Sequence, residues 1–524
     1  MEEMNIYSLT GKFVRASEKN SDNKINISAM SGIADTFADD AGLKKIRPPE
    51  PGDDMVVIET GHQPNFLPHT GIWKKAFLLH TLCKELEKSE RNAIGFFGFA
   101  DQNLMTADLL YTTRIPSLNK NGFTKIGFKQ NSHDVNRVFN EIKKPNRDIW
   151  EQKLESIRVH YRNCEKQGGF PTGVISENCE EYLEMLWNAY DRAEVFADVN
   201  AFFFSQICRE RLGMEILFFR YSDIQKEKIF LEEWKHILEN IVEYNAVYNG
   251  MIEAENLNLP RVEQNRAPFW LHCICGGKVV LFADAQSNLH GSCPICGEEH
   301  YISSDNGFEQ LSSLFDRMSL SAVTRDIVLA EGLGEDIFIS GTGGSLVYGK
   351  ISKKISERLG FLFPINLYWK SQDYYIGISQ AAALSNMAKT FKVPVQDVAS
   401  GDYKEQVLRI LSGLEHDIAV AEETSERKKR MKLLNKYNNA CTLLENIRQV
   451  FAVKPSMLDL LVNDNAPDIV SEWEMGLRSA KIAVMNGNME LRQDTRYASI
   501  WHPELASQDI EKIYRNIWET GGFS

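Results

Sequence analysis

The stretch MVVIETGHQPNFLPHTGIWKKAFLLHTLCKELEKSERNAIGFFGFA, residues 55–100, alternates between strand-like and helix-like patterns. Apolar and β-branched residues at 55–60 predict a buried strand, and apolar residues at helical spacing predict a helix over 71–88. The short apolar run 93–100 predicts a second strand that is covered on both faces. Strands and helices in this order are typical of a doubly wound parallel sheet, so we predict an α/β protein with a Rossmann-like core.

The same arrangement recurs in EDIFISGTGGSLVYGKISKKISERLG, residues 335–360. The pattern predicts a strand at 337–340, a glycine-rich turn, and a helix that ends at Gly360. A following strand is predicted at 363–369. The lysines of GKISKK fall inside the predicted helix, where lysines usually form a solvated face.

A chain of 524 residues is too long for one compact core, so several structural units are expected. An N-terminal extension is predicted for 1–53, because it ends in the turn-forming RPPEPGDD. The predicted units that follow are a Rossmann-like core at 54–370 with a zinc-ribbon insert at about 268–303, a helical coiled-coil domain at 371–460, and a C-terminal helical segment at 461–524.

Apolar residues after position 402 recur at steps of three and four, which indicates a helical, coiled-coil-like stretch. One long helix and a pair of shorter helices both fit this pattern. The stretch is expected either to pack within the chain or to form a homodimer.

Composition excludes several classes of protein. The net charge of -13 argues against binding to nucleic acid, which requires concentrated lysine and arginine. No apolar run approaches the length of about 20 residues that a membrane-spanning helix needs. The N-terminus lacks the apolar core of a secretory signal, so a cytoplasmic location is expected. Small molecules are therefore the expected partners.

The polar loop between the first predicted strand and helix is the first candidate site. In an open α/β sheet, ligands bind beyond the carboxyl ends of the strands. We predict that Gln63, Asn65 and Thr70 bind substrate there, and that His62 and His69 transfer protons. The alternative is that two prolines make the loop rigid while its polar side chains cap the helix.

The glycine-rich turn after the strand at 337–340 is the second candidate site. Glycines let the backbone approach a ligand closely, and the first amides of a helix attract anions. A carboxylate or phosphate site is predicted here, against the alternative of a plain tight turn. Its residues are Gly341, Thr342, Gly343, Gly344 and Ser345.

Two cysteine pairs form the third candidate site. Cys273 with Cys275 and Cys293 with Cys296 are separated by a strand-like run, and glycine follows the second cysteine of each pair. Four thiolates at such spacing are typical of tetrahedral Zn²⁺. Because four sulfurs close the coordination sphere, we predict a structural rather than a catalytic zinc.

Residues 318–371 resemble the cysteine ligases of bacillithiol biosynthesis, in which a serine-rich entry, an arginine followed by a helix, a strand, a Gly-Gly turn and a second helix occur in that order. Thr60, Gly61 and Gln63 match the start of that family's Thr-Gly-Gln-Gln motif, with His62 in place of the first glutamine. Asp101 alone matches in kind an acidic-histidine cluster that the family carries after its second strand.

Two further resemblances involve the polar loop. The run HQPNFLPHTGIWKK, residues 62–75, is similar to the start of WbqC-like proteins, which are linked to surface-sugar pathways. The segment LPHTGI, residues 67–72, is similar to the histidine signature of nucleotidyltransferases and class I tRNA synthetases. Ile72 stands where that signature has its second histidine.

The ligase resemblance implies attachment of cysteine, through its carboxyl group, to the amine of an amino-sugar acceptor. It also implies a nucleotide such as ATP, because a free carboxylate must be activated before it forms an amide. Under this hypothesis Arg325 and Asp326 bind charged substrate groups or form an ion pair within the fold. A sugar-pathway transferase of the WbqC type and a non-catalytic zinc-binding scaffold are the alternative functions.

Overall fold

The structure is a computed structural model. It describes residues 16–104, 108–303, 308–341, 344–400, 403–424, 426–463, 466–485, 488–493, 495–496, 511–513 and 515.

Seventeen α-helices are labelled within these residues. They are α1 Ser21–Ala41, α2 Thr70–Lys88, α3 Arg147–Gly168, α4 Val174–Arg192, α5 Phe196–Gln206, α6 Tyr221–Lys226, α7 Leu231–Glu239, α8 Ile241–Ala254, α9 Phe308–Ser313, α10 Ala322–Leu333, α11 Gly344–Leu359, α12 Ile378–Phe391, α13 Val395–Ser400, α14 Tyr403–Glu423, α15 Arg427–Ala452, α16 Met457–Asn463 and α17 Ala466–Ser479.

The strands of the described residues fall into four sheets. They are β1 Val56–His62, β2 Ala93–Phe99, β3 Thr112–Pro116, β4 Phe123–Gly127, β5 Leu217–Arg220, β6 Arg266–His272, β7 Lys278–Ala283, β8 Leu289–Ser292, β9 Glu299–Ile302, β10 Met318–Leu320, β11 Ile337–Ser340, β12 Ile365–Lys370, β13 Asp373–Tyr374, β14 Lys481–Met485, β15 Asn488–Arg492 and β16 Thr495–Arg496. Two small sheets pair β3 with β4 and β13 with β16.

The main sheet has seven strands in the order β14-β15-β12-β11-β1-β2-β5. All its neighbouring strands pair in parallel except β14, which is antiparallel to β15. Ile58 of β1 lies beside Ile337 of β11 and Gly95 of β2. The prediction of an α/β protein with a parallel sheet is confirmed.

Both faces of this sheet are buried, which explains why its strands read as near-continuous apolar runs. Val56 and Ile58 belong to the core shared with α2, whereas Met55 and Val57 belong to the core shared with α1 and α10. The side chains of a strand alternate between faces, so β1 supplies both cores.

The N-terminal segment packs directly on the main sheet. Helix α1 places the Phe37 ring 5.5 Å from that of Phe99, at the end of β2. Lys19 forms an ion pair of 2.9 Å with Asp336, and both side chains are almost fully buried. The predicted extension is therefore joined to the core by buried contacts from residue 16 onward.

Strands β6 to β10 form a separate antiparallel sheet in the order β10-β6-β7-β8-β9. It packs against the same core as α1 and α10, through buried residues such as Phe269, Leu271 and Leu281. Because this sheet carries the two cysteine pairs, we call it the ribbon.

The stretch predicted as a coiled coil contains two helices, α14 and α15, rather than one long helix. They contact each other, and the Tyr437 hydroxyl donates a hydrogen bond of 2.8 Å to the Glu415 carboxylate. The homodimer stays a prediction.

The C-terminal segment at 461–524 was predicted to be helical. This prediction is wrong in part, because the segment also contains strands β14 and β15. Met489 and Leu491 alternate with more exposed neighbours and extend the main sheet beyond β12. That alternation is a strand signal visible in the sequence. None of the described helices is both long and apolar enough to span a membrane.

A buried polar cluster joins α3, α12 and α16. The Ser379 hydroxyl donates to the Asp459 carboxylate and lies 3.0 Å from His160 Nε2, which in turn lies 3.4 Å from the Cys164 sulfur. Burial raises the pKa of Asp459 to about 7 from its ordinary value of 3.8. The folded protein therefore keeps a proton on Asp459 that the unfolded chain has released.

Asp459→Asn should flatten the pH dependence of stability. Between pH 3.8 and about 7 the folded state binds more protons at this carboxyl than the unfolded state does, so stability falls as pH rises through that window. From pH 5 to pH 8 this decrease should be about 3 kcal/mol smaller in the variant, as measured by urea unfolding. Asp468→Asn, at an exposed site on α17, is the control. Parallel pH curves for wild type and Asp459→Asn would contradict the prediction.

Candidate active site

The predicted polar loop and the predicted glycine-rich turn lie at the same edge of the main sheet. The loop follows the carboxyl end of β1 and the turn follows that of β11, and these two strands are parallel neighbours. The Thr60 hydroxyl donates a hydrogen bond of 2.7 Å to the Ile339 carbonyl and links the two strand ends. This edge is where ligands bind in open α/β sheets.

His62 ends β1 and presents a neutral imidazole. Its Nδ1 lies 3.0 Å from the Gln63 carbonyl, which can only accept, so Nδ1 carries the hydrogen. Burial, with a smaller contribution from the Lys75 charge, lowers the pKa of His62 to about 3. Nε2 is then an acceptor, and neither it nor the Gln63 side-chain amide has a hydrogen-bond partner within the described chain.

The loop after His62 is held by contacts to its backbone. The Asn200 amide donates to the Pro64 and Leu110 carbonyls at 2.9 and 3.1 Å. Asn65 is buried, yet its Oδ1 has no hydrogen-bond partner in the described structure. An unsatisfied buried oxygen costs about 1 to 3 kcal/mol, so it is a candidate acceptor for a ligand donor.

His69 and Thr70 have structural contacts. His69 is the N-cap of α2, where its Nδ1 accepts a hydrogen bond of 3.1 Å from the Gly71 amide. The Thr70 hydroxyl donates to Asp373, which also forms an ion pair with Lys74. The capping alternative therefore describes the Nδ1 atom of His69, and the Thr70 hydroxyl is bound to Asp373. No hydrogen-bond partner within the described chain occupies His69 Nε2, so proton transfer by His69 stays a prediction, as it does for His62.

The glycine-rich turn is described only in part. Gly341 directly follows β11, and Gly344 and Ser345 are the first two residues of α11. Thr342 and Gly343 lie outside the described residues. The helix start thus stands at the carboxyl edge of the sheet, as the prediction required, but the proposed anion contacts stay a prediction.

Asp101 follows β2 and is occupied by protein contacts. Its carboxylate accepts hydrogen bonds from the backbone amide and the hydroxyl of Ser222, the former at 3.2 Å, and lies 3.4 Å from the Asn140 amide nitrogen. Burial raises the pKa of Asp101 to about 6. These contacts join the loop after β2 to the start of α6, so Asp101 has a structural role at this edge of the sheet.

A group of polar side chains connects β1 with α6 and α10. It includes Arg325 and Asp326, which the sequence suggested for charged substrate groups or an ion pair, and also Glu59 and Tyr221, which the sequence did not suggest. The Tyr221 hydroxyl donates to the Glu59 carboxylate, and the Arg325 guanidinium lies 4.2 Å from the Tyr221 ring centroid. A Cβ on Gly61 would come within 2.4 Å of the Tyr221 oxygen, and one on Gly98 within 2.5 Å of its ring. Both glycines are therefore needed for the tyrosine to lie against the sheet.

Several acidic and basic side chains of this group have pKa values shifted towards neutrality. Burial raises the pKa of Glu59 to about 7 and that of Asp326 to about 6. Burial also lowers the pKa of Lys75 to about 8, and its Nζ donates a hydrogen bond of 2.7 Å to the Gly61 carbonyl. Titratable groups with pKa values near neutrality are suited to proton transfer, and they cluster at functional sites.

The ribbon contributes one more lysine to this edge, Lys278, whose pKa is lowered to about 7 by burial and by the charge of Arg325. Lys278, the first residue of β7, donates a hydrogen bond of 2.9 Å from its Nζ to the Gln102 carbonyl in the loop after β2. The same Nζ lies 4.3 Å from the Trp270 ring centroid. The sequence assigns Lys278 to the predicted zinc-ribbon insert, and nothing in the sequence predicts its contact with the loop after β2.

The four predicted metal ligands lie together in the ribbon. The Cys273 and Cys296 sulfurs are 3.5 Å apart, those of Cys275 and Cys293 are 3.4 Å apart, and all four lie within 4.8 Å of one another. Tetrahedral bonds of about 2.3 Å to zinc place sulfurs about 3.8 Å apart, so the set fits a Zn²⁺ ion. Glycine follows each second cysteine, and Gly276 and Gly297 have positive φ angles of 84° and 74°.

No protein-family model matches the chain, and no curated protein matches it. A solved structure described as an arginyl-tRNA synthetase from Campylobacter jejuni is 11% identical, with 95% of this chain and 97% of that chain covered and a TM-score of 0.21. Arginyl-tRNA synthetase from Thermus thermophilus is 11% identical, with 93% and 84% covered and a TM-score of 0.22. At these TM-scores the likeness shows neither the fold nor the function of this chain.

Proposed function

We propose that this chain is an enzyme that forms an amide between the carboxyl group of an amino acid, with cysteine as the first candidate, and the amine of an amino sugar. The observation that carries the proposal is the set of unpartnered polar groups at the end of β1. His62 Nε2, the Gln63 amide and Asn65 Oδ1 have no protein partner in the described chain, at the edge where an α/β sheet binds ligands.

These groups suit a substrate that carries both donors and acceptors. His62 Nε2 and Asn65 Oδ1 accept hydrogen bonds, as from an amine or a sugar hydroxyl, while the Gln63 amide both donates and accepts. His62 stays neutral at pH 7 because its pKa is lowered to about 3, so it orients a donor rather than pairing with an anion.

A proton must leave the amine when the amide forms, and the neighbouring charged group can accept it. Glu59 has a pKa of about 7 and is hydrogen-bonded to Tyr221, which lies against Gly61. We assign Glu59 to proton uptake through Tyr221. The carboxyl group must first be activated, and the ligase resemblance implies a nucleotide such as ATP for that step. The activated acyl group would be an acyl-adenylate or an acyl-phosphate, and AMP or phosphate would leave as the amine forms the amide bond.

Transfer of a radiolabelled amino acid to glucosaminyl malate in the presence of ATP tests the proposal. His62→Ala should lower the rate of transfer by about 100-fold, because it removes a side chain that orients the acceptor. His416→Ala, at an exposed position on α14, removes a histidine far along the chain and should keep the wild-type rate. Thermal unfolding of both variants checks that they are folded.

Two results would contradict the proposal. One is a His62→Ala protein that is folded and transfers at the wild-type rate. The other is a wild-type protein that transfers no amino acid to any amino-sugar acceptor in the presence of ATP.

A further inference from the structure

A second group of metal-binding side chains lies next to the four cysteines of the ribbon. The Cys273 sulfur, a carboxylate oxygen of Glu298 and a ring nitrogen of His300 lie within 4.8 Å of one another. Sulfur, carboxylate oxygen and imidazole nitrogen are all ligands of zinc. The four-cysteine set shares only Cys273 with this group, so the ribbon presents two sets of ligands that meet at one sulfur.

The local fold of the ribbon explains why these side chains meet. Cys273 follows β6, whereas Glu298 directly precedes β9 and His300 is the second residue of that edge strand. The Cys293 amide donates a hydrogen bond of 2.9 Å to the Glu298 carbonyl, which closes the second cysteine turn and fixes the position of Glu298. Side chains two positions apart on an extended chain lie on the same side, so Glu298 and His300 reach Cys273 together.

The contact between Glu298 and Cys273 changes when the ribbon binds a metal. In the structure the Cys273 thiol donates a hydrogen bond of 3.1 Å to the Glu298 carboxylate. A metal bound by the four cysteines takes Cys273 as a thiolate, which removes the hydrogen of that bond. The carboxylate then faces a negatively charged sulfur, and no lysine or arginine in the described part of the chain forms an ion pair with Glu298. A second cation between the two groups removes this repulsion.

His300 supplies a free nitrogen for such a cation. Its Nε2 atom is buried and has no hydrogen-bond partner within the described residues. A buried polar atom without a partner indicates a ligand, an ion or a water, and neutral imidazole is the commonest metal ligand among side chains. The His300 side chain as a whole is half-buried and Glu298 is exposed, so an ion can reach this position from solvent.

We propose that the ribbon binds a second zinc ion through Cys273, Glu298 and His300, with the Cys273 sulfur bridging the two ions. Three protein ligands leave the fourth tetrahedral position open to water, which is the arrangement of catalytic rather than structural zinc sites. The second ion shares one of its ligands with the first and is held more weakly. Buffer exchange therefore removes it, while the ion of the four cysteines stays bound.

Titration of the full, reduced and metal-free chain with cobalt chloride in the absence of oxygen tests the second site. Cobalt(II) takes the same sulfur, nitrogen and oxygen ligands as zinc and is visible by electron paramagnetic resonance. Wild type should bind two cobalt ions per chain, the first more tightly than the second. The resonance signal should grow with the first equivalent and fall with the second, because two high-spin cobalt ions that share a sulfur couple antiferromagnetically.

Two variants and two matched controls assign the ligands. His300→Ala should weaken binding of the second ion by more than about 100-fold, and Glu298→Gln by about tenfold or more, since losing a residue that only supports a ligand already costs about 10 to 100-fold. His290→Ala and Glu299→Gln remove exposed residues of the same sheet and should keep both ions. All four variants should bind the first ion as wild type does, which shows that their ribbons are folded.

A wild-type chain that binds only one cobalt ion would overturn the second site, as would unchanged binding of the second ion in His300→Ala. A resonance signal that doubles with the second equivalent would overturn the bridge through Cys273. Because these measurements need no turnover, they are independent of the proposed ligase activity, and failure of that activity leaves the metal site standing.

Discussion

Replacing Cys293 by serine should release the metal and open the ribbon locally while the main sheet stays folded. The ribbon is a small sheet, and units of this size that carry four cysteines depend on their metal for stability, by about 10 to 16 kcal/mol in isolated peptides. Here the effect is smaller, because Phe269, Leu271 and Leu281 also anchor the ribbon in the core. We expect backbone amides of β7 to β9 to exchange about 100-fold faster in the variant.

Metal analysis and hydrogen exchange measure this effect together. Wild type should contain one zinc ion per chain, and Cys293→Ser should contain much less. Cys441→Ser is the matched control, because Cys441 lies on α15, outside the cysteine cluster, and its replacement should change neither the zinc content nor the exchange of the ribbon. Slow exchange of β7 to β9 in metal-free protein would show that packing alone holds the ribbon.

The main sheet was predictable because its signals are local. The runs at 55–60, 93–100 and 337–340 are short, apolar and bounded by polar turns, and they correspond to β1, β2 and β11. Their order with intervening helices is enough to indicate a parallel sheet, and parallel order alone places their carboxyl ends at one edge. The positions of the polar loop and the glycine-rich turn follow from that reasoning.

The contacts among the charged side chains near this edge of the sheet could not be predicted from the spacing of residues in the sequence. Glu59 and Tyr221 are 162 positions apart, and Lys278 meets Gln102 across 176 positions. No pattern in one sequence reports such contacts, because they depend on how α6, α10 and the ribbon pack on the sheet. A glutamate within an apolar strand is nevertheless a visible anomaly, since a buried carboxylate requires a partner.

His69 shows the opposite case, in which a local sequence signal does predict a structural contact. A polar residue directly before a helix is the ordinary signature of an N-cap, and His69 accepts the Gly71 amide in that role. The capping alternative is therefore confirmed for His69 Nδ1, while the predicted proton transfer by this histidine stays a prediction.

Lys19→Met should destabilise the whole fold, although it lies in the segment that the sequence marks as an extension. The Lys19 ammonium forms a 2.9 Å ion pair with Asp336, whose carboxylate also accepts hydrogen bonds from the Ser17 and Val57 amides at 2.7 and 2.9 Å. These contacts join the N-terminal segment to β1 and to the start of β11. Removing the lysine leaves a buried carboxylate unpaired, which costs about 3 to 5 kcal/mol in the free energy of unfolding.

Urea unfolding of three variants separates this ion pair from a general effect of losing a lysine. Lys24→Met removes an exposed pair with Asp53, and its loss should cost less than about 1 kcal/mol. The double variant Lys19→Met with Asp336→Asn should recover part of the lost stability, because it removes the unpaired charge as well as its partner. If Lys19→Met were as stable as Lys24→Met, this ion pair would not contribute to the stability of the fold, and the N-terminal segment would be held by the apolar contacts of α1.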